Sequence, residues 1–103
     1  MKLPVLTRKE ALSLLDELRS MATREQGPDP ERLLRATEIC IHLQAQEWAD
    51  RWARDVGELF LHCEALFSSR YPPDLINADF LRSEIMGICS RLSKSWSTAA
   101  GAV

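Results

Sequence analysis

A chain of 103 residues has room for one domain with a single modest core, and two domains are excluded on length. Hydrophobic residues at 46% with charged residues at 27% exclude a largely disordered polypeptide. The net charge of −2, from 13 basic and 15 acidic side chains, gives no general attraction to phosphate backbones or anionic membranes.

Met1 to Leu6 lacks the apolar core of a signal peptide, and no run reaches the ~20 apolar residues that span a bilayer. The expectation is a cytoplasmic protein with no membrane association. Cys40, Cys63 and Cys89 are odd in number and fall within helical patterns, which fits reduced core thiols rather than a disulfide framework.

Thr7 and Glu10 have the spacing of a capping box, so a helix starts at Arg8. Ala11, Leu14, Leu15, Leu18, Met21 and Ala22 share one face, and the helix is expected to end near Glu25. Gly27 suits the residue after a helix, Asp29 a second N-cap, and Pro30 the first helical position. So short a connection makes the first two helices antiparallel.

From Glu31 no proline occurs until Pro72. At 100° per residue Leu34, Ile41, Ala45, Trp48, Trp52, Val56, Leu59, Cys63 and Leu66 fall within about 40° of one line. The pattern predicts one helix over 31–68, roughly 57 Å long, in a three-helix bundle built on that long central helix. The competing architecture is a compact four-helix bundle with a tight turn at Gln44, Ala45 and Gln46. The continuous helix is preferred because the stripe holds its phase and that tripeptide lacks glycine, proline or asparagine.

Ser68 to Pro73 stops the pattern, and Asp74, Asn77 and Asp79 are candidate caps for a last helix from about Ala78 to Ser95. Leu81, Ile85, Ile88 and Leu92 form its stripe, flanked by Cys89 and Trp96. Residues 1–96 read as one helical domain and 97–103 as a flexible tail.

Two half-length helices folded on a ~57 Å rod leave each half only two helices thick, which points to a partner copy. Ala36, Ile39 and Leu43 lie opposite the main stripe, so the Leu33 to Leu43 stretch is apolar nearly all round. Trp48 and Trp52 stand one turn apart near the midpoint. Ala36, Ile39, Leu43, Trp48 and Trp52 are therefore the expected interface of a two-fold homodimer or of a protein partner.

Glu38 with His42 and Glu58 with His62 have i, i+4 spacing, but the inward glutamates of a di-iron bundle and paired zinc cysteines are missing. No cofactor is expected and no residue is assigned as a metal ligand. No phosphate loop, nucleophile elbow or nucleophile with a visible base appears, so no catalytic residue is assigned. The segment Arg70, Tyr71, Pro72, Pro73, Asp74 stops a helix and secondarily offers a polyproline turn. Arg82, Arg91 and Lys94 make the last helix weakly basic, but its start at Ala78, Asp79 and Phe80 is a poor recognition-helix start. The expected function is a non-enzymatic helical interaction module of adaptor, chaperone or regulator type. The alternatives are a nucleic-acid-binding regulator and a small all-α metal protein.

Overall fold

Thr7 caps the first helix as its spacing requires. In a computed structural model that describes residues 5–23, 28–68 and 77–101, with side chains to Ser97, its hydroxyl accepts from Glu10 N–H at 3.1 Å. The Glu10 carboxylate in turn accepts from Thr7 N–H at 3.0 Å, which completes the capping box and starts α1 (Arg8–Ala22). Asp29 caps α2 (Pro30–Gln44) by accepting from Glu31 N–H at 2.9 Å, with Pro30 at the first helical position. The expected Gly27 stop and the Arg70 to Asp74 turn lie outside the described residues.

The continuous middle helix is not formed. Gln46 adopts an extended backbone (φ −81°, ψ 123°), a short 3-10 turn follows over Glu47–Trp52, and α3 (Ala53–Phe67) begins afresh. One residue in the extended region suffices to end a helix, so neither glycine nor proline is needed. What holds it there is the buried Gln46 side chain, whose Nε2 donates to the His42 carbonyl and whose Oε1 accepts from Leu6 N–H, both at 2.9 Å. The long-helix architecture is therefore corrected to a bundle of four helices.

Asn77 Oδ1 accepts from Phe80 N–H at 3.0 Å and caps α4 (Ala78–Gly101), whose backbone stays helical beyond the expected end at Ser95. Arg32 Nη1 meets the Met21 carbonyl at one end of the α1–α2 pair and Leu6 meets Gln46 at the other, so the two helices run antiparallel. Asp29 N–H donates to the Phe67 carbonyl at 2.9 Å, which sets α3 antiparallel to α2. Arg91 reaches Asp55 at 3.3 Å while Phe80 meets His62, which sets α4 antiparallel to α3. The order is up, down, up, down.

α1 packs mainly on α4 and α2 on α3, and the α1–α2 seam is the thinnest. Arg35 closes that seam with a bidentate pair to Glu17, Nε to Oε2 at 2.5 Å and Nη2 to Oε1 at 2.9 Å. Each helix gives one stripe to a common core: Leu15 and Leu18, Ile39 and Leu43, Val56 and Leu59, Ile85 and Leu92.

The break also changes which residues of α2 face inward. Ala36, Ile39 and Leu43 are buried, whereas Leu34 and Ile41, the start of the expected stripe, face solvent. In α3 the stripe of Val56, Leu59, Cys63 and Leu66 is buried as expected. The turn at Gln46 brings the Ala36, Ile39 and Leu43 side of α2 to the core, so the stripe is buried in α3 and exposed in α2.

Candidate functional site

The five expected interface residues are not gathered on one surface. Ala36, Ile39 and Leu43 lie in the chain's own core, out of reach of a partner while the bundle is folded. Trp48 and Trp52 belong to the 3-10 turn and are half-buried. They close one end of the bundle over Trp96, which is fully buried: Trp48 meets its ring edge-on with centroids 5.1 Å apart and Trp52 at 6.0 Å.

The Trp48 indole N–H donates to the Leu6 carbonyl at 3.2 Å, and the Arg8 guanidinium stands 4.6 Å above its ring. The outer face of Trp48 is thus partly occupied by the N-terminal segment, and Arg51 stands 5.1 Å from the Trp52 ring. These tryptophans act as an internal seal joining the first turn of α1 to the last turns of α4.

The candidate metal pairs are not assembled. Among the described residues no group of three or more His, Cys, Asp or Glu side chains is placed to hold a metal ion. Glu38 bonds Arg35 at 3.4 Å, Glu58 faces Arg54 at 3.6 Å, and His62 stands edge-on to Phe80. On α4, Arg82 is engaged by Asp79 and Arg91 by Asp55. The three free thiols are buried in the core, and burial pushes Cys40 and Cys89 up to about 12 and Cys63 higher still. A thiol so far from ionisation is a poor nucleophile or metal ligand at neutral pH.

Among the described residues the large apolar side chains left outside are Leu34 (62% exposed), Ile41 (48%) and Leu61 (63%) on the α2–α3 hairpin, with Val5 and Phe80 elsewhere. Leu34 and Ile41 are two turns apart and within about 20° of each other on α2. Leu61 points roughly 180° from the α3 core stripe. The Asp29–Phe67 bond fixes the register, placing Leu61 beside the Leu34 end of α2.

Gln44 marks the side on which the two helices touch, since a Cβ at Gly57 would lie 3.7 Å from Gln44 Nε2. Leu34 and Ile41 lean to that side of α2. The three residues therefore share the outer face of the hairpin, along the groove between its helices.

Glu31 and Glu38 follow the outer edge of this strip on α2, and Glu58 follows it on α3, with Glu64 on the groove side. Arg54 lies on the same face and pairs with Glu58. Arg35 bonds Glu17 and also reaches Glu38 at 3.4 Å. The face is an apolar strip with charged, partly ion-paired edges.

The sequence reading missed Leu61 as a surface residue, although its signal was available: it is a leucine on the polar side of α3, in line with Arg54 and Glu58. Leu34 and Ile41 fall on the main stripe of the preferred continuous helix, and only the competing turn at Gln44, Ala45 and Gln46 frees them from it. Comparison of the chain with protein-family models, with curated proteins and with solved structures gives no match. No helix among the described residues is long and apolar enough to cross a membrane.

Proposed function

We propose that the protein is a small non-enzymatic interaction module that binds another protein through the outer face of its α2–α3 hairpin. The observation that carries this reading is the grouping of Leu34, Ile41 and Leu61, all about half exposed or more, on one face built by two helices. Scattered surface leucines need no explanation, but an apolar strip with charged edges on a small helical domain is the form a helix-binding groove takes.

The two-fold homodimer loses its premise once the chain reverses at Gln46. α2 then buries Ala36, Ile39 and Leu43 against the chain's own helices, and no second copy is needed to cover them. The reading is a monomeric binder with a protein partner. It has no catalytic step, in keeping with three thiols held neutral by burial.

The reading is tested by selecting helical peptides from a displayed random library on the wild-type chain and counter-screening on a Leu34→Ser, Ile41→Ser, Leu61→Ser variant. Recovery of peptides that lose binding to the variant supports it. If all recovered peptides bind both proteins equally, the hairpin face is not the site.

A further inference from the structure

The segment entering α1 is held in the manner of a bound peptide. Val5, Leu6 and Thr7 alternate outward, inward, outward: Val5 is 85% exposed, Leu6 is buried, and Thr7 is exposed with an extended backbone at ψ 161°. Among the described residues Leu6 is the one member of the buried core that belongs to neither an α-helix nor the 3-10 turn. Both of its backbone groups are met by side chains. Its N–H donates to Gln46 Oε1 at 2.9 Å, and its carbonyl accepts from the Trp48 indole N–H at 3.2 Å.

We propose that the Gln46–Trp48 corner is a binding site for an extended segment of another protein, and that Leu6 is its resident occupant in cis. The ligand carries one large aliphatic residue turned inward between outward-facing neighbours, with a free N–H and C=O on that residue. This site is separate from the hairpin face and does not rest on the reading of that face.

The first argument is preorganisation. Gln46 is 5% exposed, and its Nε2 donates to the His42 carbonyl at 2.9 Å, which aims Oε1 at the segment. The Trp48 ring is set against Trp96 with centroids 5.1 Å apart and lies 4.6 Å from the Arg8 guanidinium. None of these contacts is made by Leu6, so acceptor and donor keep their aim when the segment leaves. Main-chain contacts of this kind accept any extended residue with an N–H, and the side-chain pocket selects among them.

The second argument is that the occupant is displaceable. The segment enters the core through a single residue, and its departure removes no helix. A tether this short gives it an effective concentration on the order of millimolar, so a ligand in trans wins only through contacts that the segment does not make. One such contact is open: Arg8 Nη1 is buried with no hydrogen-bond acceptor among the described residues. A carbonyl or carboxylate beside the ligand's aliphatic residue supplies it.

The test uses the full chain and its Leu6→Pro variant, which lacks both the N–H and the leucine of the resident occupant. The probe is an acetylated, amidated peptide of residues 3–8, and binding is followed by the Trp48 indole N–H resonance in ¹⁵N-labelled protein. The expected result is that Leu6→Pro stays folded and binds the peptide about tenfold or more tighter than wild type, because the competitor in cis is gone. The bound peptide should return the indole resonance toward its wild-type position. An ester in place of the leucine N–H, or alanine in place of that leucine, should each weaken binding by about tenfold.

Equal binding of the parent, ester and alanine peptides overturns the proposal, as does the absence of binding to folded Leu6→Pro at millimolar peptide. An unfolded Leu6→Pro chain makes the segment part of the fold rather than an occupant and overturns it too. A concentration-dependent dimer of the wild-type chain that Leu6→Pro abolishes gives the corner to the segment of a second copy and overturns the assignment to another protein.

Discussion

The Gln46 carboxamide accepts the backbone N–H of Leu6 at 2.9 Å across forty residues of sequence, and its amide donates back to the His42 carbonyl. One buried side chain thereby satisfies the segment entering α1 and a carbonyl left over at the end of α2. Gln46→Leu leaves both backbone groups without that partner in a buried site. The expected cost is about 1–3 kcal/mol in chemical denaturation, with Gln46→Glu costing at least as much because it buries a charge. A loss below 0.5 kcal/mol for Gln46→Leu would mean that the turn is held by packing alone.

Arg32 does the equivalent work at the opposite end. Its Nε meets Asp29 Oδ2 at 3.1 Å, its Nη1 meets the Met21 carbonyl at 3.2 Å, and its guanidinium lies 5.1 Å over Phe67. It thus links the last turn of α1, the cap of α2 and the last turn of α3. Lysine cannot reproduce a planar fork that bonds two partners while stacked on a ring. Arg32→Lys and Arg32→Ala are both expected to destabilise the fold, the alanine variant by about 2–4 kcal/mol. Arg54→Ala, at a nearly fully exposed site, is expected to cost less than about 0.5 kcal/mol.

The Glu17–Arg35 pair spans the thinnest seam and gives an acid-sensitive contribution. The hydrogen bond from Arg35, opposed by a smaller desolvation effect, holds the Glu17 carboxyl below its ordinary value. The folded state therefore binds this proton less readily than the unfolded state. Its stabilisation is complete above the unfolded carboxylate range near 4.3 and is lost as the pH falls through the lower folded value. Both side chains are more than a third exposed, so after solvent screening the contribution is about 0.5–1 kcal/mol. Glu17→Gln should lose that amount at pH 7 and show a shallower stability loss between pH 5 and 3.

The caps were legible in the sequence because capping is local: Thr7 with Glu10, and Asp29 with Pro30, act within one turn. The stripe of α4 was legible for the same reason, since Leu81, Ile85, Ile88 and Leu92 lie on one uninterrupted helix. The turn at Gln46 was legible only as the competing architecture, because the contact that stabilises it comes from Leu6, forty residues away. The candidate face inherited that error. α2 was correctly read as apolar on both sides, but the side turned outward depends on where the chain reverses.

That inversion is directly measurable. Ile39 and Ile41 are two residues apart on α2, one buried and the other about half exposed. Ile39→Ala removes buried methyl groups and leaves a cavity, so a loss of about 2–4 kcal/mol is expected in urea unfolding. Ile41→Ala, and likewise Leu34→Ala, should stay within about 0.5–1 kcal/mol of wild type. Comparable losses at the two isoleucines would place Ile41 inside a contact that the bundle does not show.

The three thiols give the chain an alkaline limit of stability. Burial raises Cys40 and Cys89 to about 12 and Cys63 further, and Cys40 and Cys63 are also raised by neighbouring thiols. An unfolded thiol ionises near 8.5, so above that pH the unfolded chain releases protons that the folded chain keeps. The unfolded state then binds fewer protons than the native state, and unfolding free energy falls with rising pH. With three such groups the slope approaches about 4 kcal/mol per pH unit once the unfolded thiols are fully ionised. Urea titrations from pH 8 to 10 should show this decline, and Cys40→Ala, Cys63→Ala, Cys89→Ala together should flatten it, even at a lower absolute stability. At pH 8 the native thiols should resist a disulfide-exchange reagent for as long as the fold persists and react together on denaturation. Rapid reaction of one thiol in the native protein, with the other two protected, would show that its helix opens locally rather than with the whole bundle.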